Sequence, residues 1–368
     1  MTDKERRTVA QSESSGAAET DWRARAKDFP VNEARRIVMR LSGPKPSIYW
    51  PDFLAAAVIG WSAFVYAVIH AYAWPDYAIA LVISGFALYR AVLFIHELAH
   101  IRQTQFRAFR WVWNLLAGIP MLAPSFTYTR VHSDHHRTRI YGTAADGEYR
   151  PFGAGSVWNI VFYPLESLFL PALFVLRFVL LTPLGWISPA IRRLVWARFS
   201  SLTIDLGYRR PPPGKGDDPH WKTEEALAFL FGTGALAAMA SGRLPWSAGV
   251  TWYLVAVFIF FVNSLRTLAA HAYRNPEDGA PMSRAEEFLD SVDVPTPLGV
   301  LWAPVGLRFH ATHHLFPSLP YHELPKAHRL LKAELSDNSL YLAARRRNLF
   351  DALRRLWRDA RAQRTRGA

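Results

Sequence analysis

The pentad His132-Ser133-Asp134-His135-His136 recurs as His310-Ala311-Thr312-His313-His314, and any fold of this chain must be one that uses these six imidazoles. On a helix, residues three and four apart are neighbours, so each pentad is expected to send three imidazoles from one face. Neutral imidazoles packed that closely waste hydrogen-bonding capacity when dry and become useful when a transition metal sits among them. With 13 histidines in 368 residues, His-x-x-His-His is expected by chance roughly 0.02 times. Its double occurrence is a metal-ligand signal. His96 and His100, four apart in His-Glu-Leu-Ala-His, add a third cluster, and the three clusters hold eight of the 13 histidines.

These clusters are set among long apolar runs. Hydrophobic residues make up 51% of the chain and alternate with basic stretches, which is a membrane pattern. Residues 53–74 are uncharged apart from the titratable His70, and are long enough to cross a hydrocarbon core about 30 Å thick. Trp74-Pro75-Asp76 turns the chain into a second run, 77–95, with Arg90 near its exit from the lipid. Runs 225–241 and 249–270 form a second hairpin around Gly242-Arg243-Leu244-Pro245-Trp246. Residues 111–126 are too short to cross and read as re-entrant or interfacial. The apolar stretch 157–187 is broken by Pro164, Glu166, Pro171, Arg177 and Pro183. One broken span, a dipping hairpin and two interfacial helices all fit it; the interfacial or re-entrant reading keeps every His cluster on one side. The expected fold is an all-α integral-membrane protein with four transmembrane helices in two hairpins. A cytoplasmic His-rich two-metal cap and interfacial helices complete it.

Three regions follow: a cytoplasmic N-terminal segment over 1–50, disordered to about residue 20, a membrane domain over 51–330, and a basic amphipathic tail over 331–368. Trp22, Phe29, Ile37, Val38 and Leu41 allow a helix on the membrane surface, after which Pro44, Pro46 and Pro51 break the chain. In the tail, Leu349, Phe350, Leu353, Leu356 and Trp357 share a helical face among arginines, the pattern of a membrane-surface helix. The net charge of +13 lies beside apolar runs and at the ends, which suits anionic lipid headgroups and not nucleic acid. Absence of an apolar run before residue 50 argues against a cleavable secretory signal. The basic C-terminal region and short outer turns place both termini in the cytoplasm of a multi-pass protein, in the inner membrane if it is bacterial. The chain has no cysteine, hence no thiolate metal site or iron-sulfur cluster of its own.

This topology gathers His96, His100, His132, His135, His136, His271, His310, His313 and His314 at one cytoplasmic face. One ion takes four to six ligands, so nine histidines suit two ions. Ligand softness permits zinc, iron or copper. The apolar setting favours iron, because redox-inert zinc cannot attack the unactivated C–H bonds of an acyl chain. The boxes His96-x-x-x-His100, His132-x-x-His135-His136 and His310-x-x-His313-His314 resemble the three His boxes of the integral-membrane fatty-acid desaturases. His271 follows a span, as that family's additional histidine ligand does. The resemblance runs over roughly 53–329. It implies a four-span bundle with a cytoplasmic cap, two iron ions, O2 as co-substrate and a bent hydrophobic tunnel for a lipid or fatty-acyl substrate. The implied activity is that of an oxidoreductase, first of all fatty-acid desaturation. Related enzymes on the same scaffold hydroxylate lipids, modify carotenoids or decarboxylate fatty acids to terminal alkenes, and these stand as alternatives. A metal-binding transporter or sensor, or a zinc hydrolase, is an alternative of another class. The His-Pro-Gly-Gly motif of a fused cytochrome b5 is absent, so the resemblance implies a separate donor of ferredoxin, rubredoxin or cytochrome b5 type with its reductase. In some animal acyl-CoA desaturases an Asn four residues before the additional His holds a metal-bound water. Here Thr267 stands at that place and Asn263 a turn further back.

Asp134, Asp146, Glu148, Asp290 and Asp293 are expected to accept the second ring N–H of metal-bound histidines. Glu97 points off the face shared by His96 and His100 and is expected to be a cap or surface partner. Arg137, Arg139 and Arg308 suit an anionic headgroup, an acidic redox protein or a positive-inside bias. His70, His220 and His328 read as ordinary residues, and His322 stays outside the ligand set.

Overall fold

The computed structural model describes residues 22–276 and 279–367. Among the described residues the regular structure is helical, with only isolated bridges such as His271 to Ser291 and Asp293 to Phe309. The helices that organise the site are α1 (Pro46–Ile69), α2 (Asp76–His100), α3 (Phe126–His135), α4 (Leu170–Ile187), α5 (Trp221–Ala240) and α6 (Trp246–Ala270). They are followed by α7 (Arg284–Asp290), α8 (His310–Leu315), α9 (Leu324–Glu334) and α10 (Leu349–Gly367). Four of these, α1, α2, α4 and α6, are long and apolar enough to cross a membrane.

The helices α1 and α2 pack along each other, and α6 packs on both. Two glycines set the approach. A Cβ on Gly60 would meet Leu88 at 2.6 Å, and one on Gly85 would meet Phe258 at 2.5 Å, so only glycine allows backbones this close. Tyr49, Phe53, Phe94, Phe109 and Trp113 fill the core between α1, α2 and the segment that follows them. The proline reading needs correction at α1. Pro46 lies in the first turn, where a missing N–H leaves no bond unmade, and Pro51 lies inside the helix, which therefore begins before residue 53.

Residues 170–187, expected to be interfacial or re-entrant, form α4 and qualify as spanning by length and composition, whereas α5, which contains the expected third span, does not. The reason is where the charges go. Arg177, which argued against a span, is buried and donates to Glu225 (2.6 Å), Thr182 (2.7 Å) and Ser200 (3.0 Å). Its partner, with Glu224, makes the first turns of α5 acidic. The two helices meet where Val179 abuts Gly232 and Trp186 packs on Phe229.

A second core lies in the cap. Phe29, Ile37 and Val38 pack there with Phe288, Leu315, Leu331 and Tyr341. The N-terminal segment expected on the membrane surface thus spends its apolar face on the protein. The C-terminal helix does the same. Ala352, Leu356 and Ala360 of α10 are buried, with Leu356 and Ala360 against Tyr141, Leu268 and Tyr273, while Phe350 remains 71% exposed. An amphipathic stripe buries against whichever apolar surface is nearest, and here α6 supplies it.

Candidate metal centre

Each cluster is delivered by a different local structure. His96 and His100 occupy the last turns of α2, where four-residue spacing stacks them on one face. His132 and His135 lie in α3, and His136 is its C-cap. The start of α3 is fixed by Glu224, which accepts from the Phe126 N–H (2.9 Å) and Ser125 Oγ (2.9 Å). His271 follows α6 with an extended backbone and bridges to Ser291. The second pentad opens α8, whose Thr312 donates to Asp293 from its N–H (3.1 Å) and hydroxyl (2.6 Å).

The nine histidines converge into two groups. His96, His100, His132, His136 and His313 form one, and His135, His271, His310 and His314 the other; within each, one ligand atom per residue lies within 4.8 Å of all the rest. The expectation that each pentad presents three imidazoles to one face is corrected here. In each pentad the first and last histidines share a group and the middle one goes to the other. Adjacent helical residues point about 100° apart, so His135 and His136 diverge. Each pentad thereby ties the two groups together.

The donor chemistry fits a cation at each group. His132 Nε2 lies 2.9 Å from His100 Nε2 and 3.1 Å from His136 Nε2, which is also 3.1 Å from His313 Nε2. His310 Nε2 lies 3.0 Å from His271 Nε2 and 3.2 Å from His314 Nε2. Hydrogen bonds cannot satisfy this arrangement, because a neutral ring has one N–H, and His132 places its Nδ1 2.9 Å from Glu148 Oε1. Lone pairs facing one another at this distance require a positive charge between them. With metal–nitrogen bonds of about 2.1 Å, right-angle ligands stand about 3.0 Å apart and tetrahedral ones about 3.4 Å. Nitrogens gathered at this spacing could share one cation in each group.

Burial and mutual repulsion hold His132, His136, His310, His313 and His314 well below the usual imidazole value of 6.5. For His271, burial and the nearby His135 and Arg266 act in the same direction. These rings are neutral donors. Burial pulls His135 down too, but the carboxylate of Asp146 outweighs it and the net shift is upward.

Two of the expected carboxylates reach ligand rings. Asp146 lies 2.8 Å from His135 Nδ1, and Glu148, pushed up to about 7 by burial, lies 2.9 Å from His132 Nδ1. Asp290 acts at one remove, since it accepts from Tyr141 Oη (3.2 Å), which stands 2.9 Å from His271 Nδ1. Two others do not reach a ligand ring. Asp134 is held by Arg130 (2.8 Å) and Arg137 (2.6 Å), and Asp293 is spent on Thr312 and His328. Asn263 accepts from Arg266 (3.1 Å), and the carbonyl of Thr267 accepts from Tyr273 Oη (2.9 Å). Glu97 is also corrected: it is buried and accepts from Tyr49 Oη and the Tyr321 N–H (3.1 Å).

Three partners escaped the sequence reading. Tyr128 Oη stands 3.0 Å from His132 Nδ1 and donates to Glu148 (3.0 Å); its place four residues before His132 was the available signal. Tyr141 and Ser291, the latter 3.1 Å from His271 Nδ1, come from distant segments and carried no signal.

An all-helical chain with helices of membrane-spanning length and a buried nine-histidine centre defines a membrane protein built around two adjacent metal sites. Residues 72–346 match the fatty acid desaturase family, and the chain belongs to that family: it is an integral-membrane oxidoreductase. It is also 37% identical over 333 residues to the ceramide hydroxylase of Caulobacter vibrioides, an alignment covering 90% of this chain and 94% of that protein.

Proposed function

We propose that this protein hydroxylates a ceramide chain, with two iron ions held by the nine histidines and O2 as the oxidant. The observation that carries the reading is the near-complete alignment with a ceramide hydroxylase, joined to two histidine groups that could each hold a metal ion. The five-histidine group would hold one iron and the four-histidine group the other. When bound, the pair supplies the reductive activation of O2 needed to break an unactivated C–H bond. The balance is one C–H, one O2, two electrons and two protons giving one C–OH and one water.

The chain's own residues prepare that chemistry. Asp146 and Glu148 take the Nδ1 protons of His135 and His132, which turns each Nε2 lone pair inward. Glu148 also accepts from Tyr128 Oη (3.0 Å), and burial raises its carboxyl to about 7. Burial of the histidines excludes water from the reacting centre. We take both termini and the metal centre to face the cytoplasm, in the inner membrane of a bacterium, and electrons to come from a separate carrier with its reductase.

The test is mass spectrometry of ceramides from cells with and without the protein, under 18O2. Ceramide gaining one labelled oxygen is the expected product. Desaturation is the second reading, favoured by the family match itself, and loss of two hydrogens without oxygen would establish it. Unchanged ceramides together with unsaturated or shortened fatty acids would remove the ceramide assignment.

A further inference from the structure

Five arginines meet around one recess on the cap. Arg345, Arg346, Arg347, Arg355 and Arg358 line a cavity of about 490 Å3 in which Asp351 is the acidic residue. That carboxylate accepts from the backbone N–H of Arg347 (3.0 Å), and Arg355 has Asp359 at 3.3 Å. Among the described residues, no carboxylate side chain forms an ion pair with the other four guanidinium groups, and Arg345, Arg347 and Arg358 are exposed. Like charges gathered at one recess repel, and a polyanionic partner removes the repulsion.

The recess has one wall on the cap and the other on α10, which packs against α6. Its wall at 342–346 packs into the cluster of Phe29, Phe288, Leu331, Tyr341 and Ala344, which contains no residue of α1, α2, α4, α5 or α6. A short bonded route also joins it to the metal ligands. Arg346 N–H donates to the Asp293 carbonyl (2.8 Å), and Asp293 N–H to the Ala344 carbonyl (3.0 Å). The Asp293 side chain holds Thr312, which stands between His310 of one group and His313 of the other.

We propose that this arginine recess receives the small acidic one-electron carrier that reduces the two metals, an inference that rests on the function proposed above. Each turnover takes two electrons, one per docked carrier, and the chain has no cysteine with which to hold an iron-sulfur relay of its own. Carboxylates around the carrier's redox centre would meet the unpaired guanidinium groups and set that centre against the route through Asp293 and Thr312.

The test compares the full-length, iron-loaded protein in detergent with the charge-reversed variant R345E/R347E/R358E and the charge-preserving variant R345K/R347K/R358K. Probes are an acidic [2Fe–2S] ferredoxin, a rubredoxin, and phosphatidylglycerol vesicles. Charge reversal is expected to weaken binding of at least one carrier by about tenfold or more and to flatten its salt dependence. The lysine variant should bind as the wild type does, and iron content should be equal in all three. Carrier binding that is equal across the variants overturns the proposal, as does loss of vesicle binding alone, which would make the recess a headgroup site. The function is scored separately on the wild type. Carrier binding lost on charge reversal without any oxidised ceramide in the wild type supports the surface and removes the reading of function. Equal product formation by both proteins at limiting carrier overturns the recess and keeps the function.

Discussion

His135 and His136 are neighbours in sequence and lie in different histidine groups, so their loss should leave different remnants. His135→Ala removes a ligand from the four-histidine group and should lower iron from two per chain toward one while abolishing turnover; iron analysis beside product assay checks this. Asp146→Asn, which disturbs the Nδ1 partner of His135, should weaken iron binding by about 10- to 100-fold. Asp134→Asn, in the last turn of α3 and paired to arginines, should leave iron content unchanged, which equilibrium iron binding distinguishes. The imidazoles also set a pH limit. Their folded values lie below the ordinary 6.5, so the unfolded chain takes up protons in acid that the folded one cannot. The histidine contribution is full above about 6.5 and declines as pH falls below it, opposed by a smaller set of groups with raised values, among them His135, Glu148, Glu224 and Glu287. Thermal unfolding of the metal-free protein should therefore shift to lower temperature between pH 7.5 and 5.5, and a constant Tm would contradict the burial argument.

At the level of elements, two of the four deliveries depend on a carboxylate that is remote in sequence. Glu224, on α5, accepts from the first N–H of α3, from the Ser125 hydroxyl and from the Asn114 side-chain amide. Glu224→Ala leaves those donors buried and unpaired, at a cost of about 1–3 kcal/mol, and should loosen α3. The expected outcome is a lower Tm with iron loss from both groups, because α3 feeds both. Glu225 matters more, since it neutralises buried Arg177 and half-buried Arg192. Removing one member of a buried pair costs about 3–5 kcal/mol, so Glu225→Ala should impair accumulation of folded protein, read as yield of monodisperse material in detergent. Asp293 plays the equivalent part for α8.

For the whole molecule, the test of how the cap is built is removal of α10. As a membrane-surface helix its loss would weaken membrane association and spare the metals. The structure predicts the reverse, because Leu356 and Ala360 cover Tyr141, Leu268 and Tyr273 beside His271. A chain ending at Arg347 should stay in the membrane fraction and lose iron from the four-histidine group, measured by fractionation and elemental analysis. Much of this protein was legible in its sequence: the apolar runs, the gathering of nine histidines, and the carboxylates Asp146 and Glu148 beside them. Those follow from local spacing and composition, which act within a turn or within one run of residues. The tertiary structure alone decided which histidine serves which metal, because the split depends on where α2, α3 and α8 converge. It likewise turned the terminal amphipathic segments inward, and it assigned Asp134 and Asp293 to arginine and threonine partners. An amphipathic face or an ionised side chain states only that it needs a partner, and which partner it meets is fixed by the packing of the other helices.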